Sequence, residues 1–332
     1  MTDYKKIMVM GAGSWGTALA LKAQQAGHDV EMWTRRETLA EALTSGGGNP
    51  EYLPGMALPP IPATTELARL KTADIVFAVI PVQHSRAYFK RAAAFIKAGT
   101  PVLLCAKGIE QGSLKWMTQI LAETIPHSIP IILSGPSFAK DVAQNLPTAI
   151  TLACEDERLG HDLVAALGQP RFRPYWSPDM IGAQIGGAVK NVLAIACGIS
   201  EGLGLGKSAH AALLTRGFAE MRRLAKPLGA QMETFSGLSG FGDLVLTCSS
   251  PQSRNMSFGL ALGQGQSAAD ILTSRASVTE GVTTTPALLS LARKYDLDLP
   301  ICERVGHILT GAQSVDETIH SLLARPFKGE FL

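Results

Sequence analysis

Three features of the sequence predict an α/β protein, with an N-terminal Rossmann-type, doubly wound, mostly parallel sheet followed by an all-α C-terminal domain. Short apolar runs alternate with helical patterns through the first half, a glycine-rich GxGxxG segment joins the first run to the first helix, and no convincing strand pattern occurs after about Pro178. Strand–helix alternation of this kind builds a parallel sheet with helices on both faces. At 332 residues the chain is long enough for two cores. The change of pattern near Ser177–Pro178 predicts a Rossmann-type domain over residues 1–178 and an all-helical domain over residues 179–332.

Element by element, Lys6–Met10 reads as a buried strand, Gly13–Ala26 has helix composition, and Asp29–Trp33 is a second strand. A Gly/Pro-rich loop, Ser45–Pro62, precedes a strand at Asp74–Ile80. Pro101–Cys105, Pro130–Leu133 and Ala149–Ala153 continue the series, and Arg171–Tyr175 closes it. Helical patterns then cover Met180–Ser200, Ser208–Leu228, Ser257–Leu262, Thr285–Tyr295, Pro300–Thr310 and Asp316–Leu323. The connectors GLGLG (Gly202–Gly206) and SGLSGFGD (Ser236–Asp243) separate them, and a loose tail is expected from about Arg325.

Composition narrows the function. Hydrophobic residues at 46% and charged residues at 17% are those of a globular protein, and a net charge of +2 implies no basic face for nucleic acid. The five cysteines, Cys105, Cys154, Cys197, Cys248 and Cys302, are widely spaced without a CxxC pair, as expected of core thiols in a reducing compartment. The seven histidines show no metal-ligand spacing, so no metal site is expected. The five-residue apolar run before the first glycine is too short for a signal peptide, so the cytoplasm is the expected location. Met180–Ser200 is long enough to span a bilayer, but Gly182, Gln184, Gly186, Gly187, Lys190 and Asn191 interrupt it. A buried core helix is expected there and no membrane span.

Gly11-Ala12-Gly13-Ser14-Trp15-Gly16 stands between the first strand and the first helix. In that context Gly11 permits the tight turn, Gly13 lets backbone approach a pyrophosphate, and Gly16 lets the helix pack on the strand. The second strand ends Trp33-Thr34-Arg35-Arg36, with no acid where an unphosphorylated ribose would be read. Two arginines suit a 2′-phosphate, so NADP, or NAD with NADPH accepted, is the expected cofactor.

Lys190 is the one full charge in its apolar helix. A buried lysine is rare unless paired, and this one fits either a helix edge or a reaction site. Lys107 follows a strand, where ligands of doubly wound sheets bind. Ser134-Gly135-Pro136-Ser137-Phe138-Ala139 forms a second strand-to-helix turn, Ser253-Arg254-Asn255 opens a helix as an anion grip, and Asp243 could orient Lys190 or a substrate hydroxyl. Taken singly, each of these also fits an ordinary loop residue or helix cap.

Together, GAGSWGTALA, YLPG, AKGIE, SGPSFA, GGAVKNVLAIACGISEGLGLG, TRGFAEM, GLSGFGDLVLTC, QSRN and VTEG occur in one order from residue 6 to about 325. In this the chain resembles the bacterial NAD(P)-dependent glycerol-3-phosphate dehydrogenases. The resemblance implies reversible conversion of dihydroxyacetone phosphate and sn-glycerol 3-phosphate, feeding glycerophospholipid synthesis, by a homodimer. It implies Lys190 as proton donor and acceptor, with Lys107 and Asp243 also catalytic. Gly135, Ser137, Lys107, Lys190, Asp243, Ser253, Arg254 and Asn255 look like substrate contacts. Gly11, Gly13, Ser14, Trp15, Gly16, Arg35, Arg36, Lys107, Ala139, Arg254, Val278 and Glu280 look like cofactor contacts, with Thr247 and Asn191 orienting. YLPG carries no assigned role. Thr279 stands where an aliphatic residue is expected.

Burial among Gly186, Gly187 and Ala194, with Lys107 and Arg254 near, should lower the Lys190 pKa, whereas Asp243 should raise it. The glycines are expected to leave room for substrate beside the backbone. β-Hydroxyacid or 6-phosphogluconate-type dehydrogenases share the general plan. A dinucleotide-sensing protein without turnover is the alternative from another class.

Overall fold

The computed structural model describes residues 4–274, 278–324, 326 and 329. The tail expected from Arg325 lies outside the described residues except for Pro326 and Gly329.

β1 (Lys6–Met10), α1 (Ser14–Gln25), β2 (Asp29–Trp33), α2 (Glu37–Thr44) and the two-residue β3 (Ala63–Thr64) open the chain. They are followed by β4 (Ile75–Ala78), α3 (Val82–Ala92), β5 (Pro101–Leu104), α4 (Met117–Thr124), β6 (Ile129–Ser134), α5 (Ala139–Ala143), β7 (Thr148–Ala153), α6 (Glu157–Leu167) and β8 (Phe172–Ser177). The strands form one eight-stranded sheet in the order β3-β2-β1-β4-β5-β6-β7-β8. All neighbours are parallel except β6 and β7, which pair antiparallel through Ile132 and Ala153. β1 is buried on both faces, which is why it reads as an unbroken apolar run. Ile7 and Val9 enter the core layer that contains α1, whereas Met8 and Met10 enter the opposite layer with Phe89 of α3. The chain runs outward from β1 to β3, then returns to β4 on the other side of β1. That reversal opens a crevice at the carboxyl ends of β1 and β4, where ligands of such sheets bind.

β8 ends at Ser177 and α7 begins at Met180. Asp179 makes the join: its Oδ1 accepts from the Gly182 N–H at 2.8 Å, capping α7. Its Oδ2 accepts from the Gln231 N–H at 2.9 Å and the Thr234 hydroxyl at 2.6 Å. α7 (Met180–Gly202) is the axis of the helical domain. Around it lie α8 (Gly206–Arg223), α9 (Ala225–Leu228), α10 (Met232–Ser236), a π-helical turn (Leu238–Gly242), α11 (Asp243–Cys248) and α12 (Arg254–Gly263). α13 (Ala268–Thr273), α14 (Glu280–Lys294), α15 (Pro300–Thr310) and α16 (Val315–Leu323) complete it. Among the described residues α7 alone is long and apolar enough to cross a bilayer, and 89% of its apolar window is buried within the protein. It is a core helix. Gly198 and Gly259 let α7 and α12 meet backbone to backbone. A Cβ at Gly198 would lie 2.1 Å from the Met256 carbonyl oxygen, and one at Gly259 would lie 2.0 Å from that of Ile195.

Several boundaries differ from those the sequence predicts. The helix expected over Ser208–Leu228 is divided between α8 and α9. α12 begins at Arg254, because the Ser253 hydroxyl accepts from the Met256 N–H at 3.2 Å and starts the helix early. SGLSGFGD is not an open connector but the π-helical turn leading into α11. Its shape follows from a neighbour far away in sequence. Gly186 of α7 has no side chain, so the Ser239 carbonyl oxygen comes to 2.2 Å from where a Cβ would be.

A buried carboxylate ties α8 to α15. Both oxygens of Glu220 accept backbone N–H groups at the start of α15, from Ile301 at 2.7 Å and Cys302 at 3.1 Å. They serve a helix start that has no side-chain cap of its own. Burial outweighs these bonds and pushes the carboxyl up to about 7. Glu220→Ala should destabilise the protein by about 2 kcal/mol or more, because two buried N–H groups lose their acceptor. The folded pKa lies above the ordinary glutamate value of 4.5, so protonation favours the folded state. That contribution is whole below the unfolded pKa and is lost as pH rises through about 7. The melting temperature of the wild type relative to Glu220→Gln should therefore fall between about pH 5 and about pH 8; a constant difference would contradict the assignment.

Candidate active site

The carboxyl ends of β5 and β6 meet α7 and the π-helical turn, and the two lysines singled out in the sequence come together there. Lys190 lies mid-way along α7 and is buried. Its Nζ donates to Asp243 Oδ1 at 2.5 Å and to Thr247 Oγ1 at 2.8 Å. Lys107 leaves the end of β5, and its Nζ donates to Asp243 Oδ2 at 2.7 Å and to the Gly135 carbonyl oxygen at 3.2 Å. One carboxylate is thus shared by two ammonium groups from different domains. Each ammonium commits two of its three N–H groups, leaving one uncommitted among the described residues.

The Lys190 ammonium is lowered from 10.5 to about 8. Burial is the largest cause, opposed by the Asp243 charge and reinforced by Lys107. Asp243 and Thr247 are one turn apart on α11, so both face the same point on α7. The glycines before Lys190 do not leave room for a substrate as the sequence suggests. Gly186 seats the π-helical turn, and Gly187 lies against the Lys107 stem, with a Cβ there 3.2 Å from Lys107 Cγ. Both are needed to bring Asp243 and Lys107 to Lys190.

A ladder of amides fixes the backbone around this centre. Asn191 donates to the Lys107 carbonyl oxygen at 3.3 Å, Asn255 donates to Asn191 Oδ1 at 2.9 Å, and the Gly281 N–H donates to Asn255 Oδ1 at 2.8 Å. Asn255, expected as a substrate contact, therefore has its carbonyl oxygen engaged in joining α12 to α14. Ser253 is the buried cap of α12, and Arg254 is that helix's first residue. Glu280 opens α14. Burial pushes its carboxyl up, against the pull of Arg254, Lys107 and Lys190. Val278 is exposed, and Thr279 is buried with its hydroxyl unpartnered among the described residues. Gly135 has φ +134° and lies against Ile150. The Ser137 hydroxyl donates to the Gly135 carbonyl oxygen at 3.0 Å, and Ala139 starts α5.

At the carboxyl end of β1 the glycine-rich turn divides its labour. A Cβ at Gly11 (φ +116°) would lie 2.5 Å from the Val79 carbonyl oxygen, and one at Gly16 would lie 1.9 Å from that of Gly11. A Cβ at Gly13 would meet nothing within 4 Å. Gly11 and Gly16 are thus required for packing, and Gly13 opens onto free space at the start of α1, where Ser14 and Trp15 begin the helix. α1 has no side-chain cap, so its first N–H groups are available to a pyrophosphate. Its residues fit a dinucleotide.

Beyond this turn, at the end of β2, Arg35 is exposed and makes no hydrogen bond or ion pair among the described residues. Arg36 is ion-paired to Glu51 and stacks over the Tyr52 ring at 5.6 Å. Sequence reasoning missed Glu51, because nothing in a Gly/Pro-rich loop indicates that it folds back onto β2. Asn49, also missed, holds that loop in place. It donates to the Ala12 carbonyl oxygen at 2.9 Å and to Thr17 Oγ1 at 2.8 Å.

Comparison with known proteins gives a consistent picture. The family described as NAD-dependent glycerol-3-phosphate dehydrogenase matches over both parts, its N-terminal region at residues 6–160 and its C-terminal region at residues 179–320. A glycerol-3-phosphate dehydrogenase (NAD(P)+) of Maricaulis maris is 59% identical over 328 residues, covering 98% of each chain. Its counterpart in Caulobacter vibrioides is 55% identical over 98% of this chain and 99% of that one. The crystal structure of glycerol-3-phosphate dehydrogenase from Coxiella burnetii superposes with a TM-score of 0.92 at 38% identity, covering 97% of this chain and 99% of that chain. D-mandelate dehydrogenase shares the fold alone, at 15% identity and a TM-score of 0.66.

Proposed function

The chain belongs to the NAD-dependent glycerol-3-phosphate dehydrogenase family, and from that footing we propose how its residues divide the work. It is an oxidoreductase that interconverts dihydroxyacetone phosphate and sn-glycerol 3-phosphate with NAD(P). In our reading residues 1–178 hold the dinucleotide, residues 179–332 hold the substrate, and the reaction occurs between them. The bound nicotinamide supplies or accepts the hydride.

Lys190 serves the substrate's carbonyl oxygen. Its uncommitted N–H donates to that oxygen as negative charge builds, and its proton completes the alcohol. In the reverse direction the neutral amine takes the proton back, which a pKa of about 8 allows near neutral pH. Lys107 uses its free N–H on the same substrate. Asp243 and Thr247 aim Lys190, and the amide ladder through Asn191 and Asn255 holds the backbone of Lys107. Ser253 and Arg254, at the start of the ten-residue α12, grip the phosphate; Arg254 also reaches the cofactor. Gly135 and Ser137 complete the substrate side. Ala139, Val278 and Glu280 border the cofactor with Gly11, Gly13, Ser14, Trp15, Gly16, Arg35 and Arg36. The observation that carries the reading is the buried Lys190–Asp243–Lys107 bridge across the two domains. Five unpaired, buried cysteines favour a reducing compartment such as the cytoplasm. Exposed Leu205, Met232, Phe241 and Val245 on the helical domain favour a homodimer.

The test is loss of reduced-nicotinamide absorbance with dihydroxyacetone phosphate, against plain dihydroxyacetone and a panel of β-hydroxyacids. The phosphate ester should be the preferred substrate; better turnover of a β-hydroxyacid would reject the proposal. Arg254→Ala should raise KM for dihydroxyacetone phosphate by about 10- to 100-fold, the worth of a charge-assisted contact. With the dinucleotide saturating, it should leave the weak reaction of unphosphorylated dihydroxyacetone nearly unchanged. Equal losses on both substrates would show that the phosphate grip is misplaced.

A further inference from the structure

At the end of β2, where dinucleotide folds read the ribose, an acid favours the free 2′-hydroxyl and an arginine favours the 2′-phosphate. This strand ends in Arg35 and Arg36 and lacks the acid. The structure brings one in from elsewhere. Asn49, buried and bonded to both Ala12 and Thr17, pins the loop after α2 to the glycine-rich turn. The Tyr52 N–H donates back to Asn49 Oδ1 at 3.2 Å, and Leu53 is buried in the core beside α1. The YLPG segment therefore anchors the loop. Between these anchors Glu51 pairs with Arg36, and Tyr52 lies under the same guanidinium.

We propose that Glu51 is a specificity-determining residue: it supplies the acid that β2 lacks and sets the balance between NAD and NADP by occupying Arg36. The partners are 44% and 37% exposed, and exposed pairs of this kind are weak, so an incoming group can displace either one. A 2′-phosphate must compete with Glu51 for Arg36 and bear its negative charge, leaving Arg35 as the one uncommitted arginine for it. An unphosphorylated ribose disturbs nothing. Arg36 also holds the Glu51 carboxyl below the usual carboxylate range, so that charge persists through neutral pH.

The inference rests on the dinucleotide reading given above, and binding separates the two. Dissociation constants of NADH and NADPH are measured by calorimetry on wild type, Glu51→Gln and Arg35→Ala. Glu51→Gln should shift the affinity ratio toward NADPH by about tenfold, as expected for removing a unit charge beside a phosphate. Arg35→Ala should shift it toward NADH. If wild type binds both dinucleotides but Glu51→Gln leaves their ratio unchanged, or moves it toward NADH, the role of Glu51 is overturned alone. If wild type binds neither, the dinucleotide reading fails and the proposal with it.

Discussion

Lys190→Ala should lower kcat for dihydroxyacetone phosphate by about a thousandfold or more, while the dissociation constant of the dinucleotide changes by less than about threefold. Two effects are lost together. General acid catalysis contributes about 10²- to 10⁴-fold, and stabilisation of developing oxygen charge contributes about 10²- to 10³-fold. One ammonium provides both, so the losses do not multiply in full. Dinucleotide affinity should survive, because Asn49 and the glycine-rich turn are held by bonds to Ala12 and Thr17, whereas Lys190 bonds to Asp243 and Thr247 on the helical side. Asp243 also keeps a partner in Lys107 at 2.7 Å, which limits structural damage. Lys190→Met, which keeps the stem, should lose the same rate with less effect on melting temperature. Turnover of either variant within about tenfold of wild type would remove Lys190 from the chemistry.

Much of this centre was legible because its signals are local or chemical. GxGxxG shows itself through its spacing between a strand and a helix: Gly16 is needed by contact with Gly11, five residues before it, although the contact that requires Gly11 comes from distant Val79. A lysine inside an apolar helix is visible as an expense that something must offset. Asp243 could be suspected as its partner, but 53 residues separate the two, and only the folded chain shows that the same carboxylate also serves Lys107. The function of Gly186 was misread for that reason. In sequence a glycine beside a reactive lysine suggests space, whereas in the structure that space is filled by the Ser239 carbonyl. The π-helical turn, the early start of α12 and the loop placement of Glu51 likewise depend on tertiary partners, which override local propensity. Glu220 was invisible in the TRGFAEM motif because its bonds are to backbone of α15, and backbone leaves no trace in residue identity.

Asp243→Asn tests the same centre through its electrostatics. The wild-type Lys190 value of about 8 is a balance: burial lowers it most, the Asp243 charge raises it, and Lys107 lowers it. Asparagine removes the raising contribution and leaves two ammonium groups facing each other, so the Lys190 pKa must fall below its present value. Ketone reduction needs the ammonium form of Lys190, so in the wild type its rate should decline as pH rises through about 8, while alcohol oxidation gains. In Asp243→Asn both limbs should move to lower pH. Reduction measured at about pH 8 should drop by about a hundredfold or more, with part of the loss recovered near pH 6. Stability should fall as well. An asparagine can still accept from one lysine, but its amide N–H groups face the other, and breaking a buried pair costs about 3–5 kcal/mol. Recovery at acid pH distinguishes the electrostatic effect from this structural loss, because a merely loosened site would be slow at every pH. An alkaline limb that stays in place in the variant would mean that Asp243 does not set the proton affinity of Lys190, and that the titrating acid lies elsewhere.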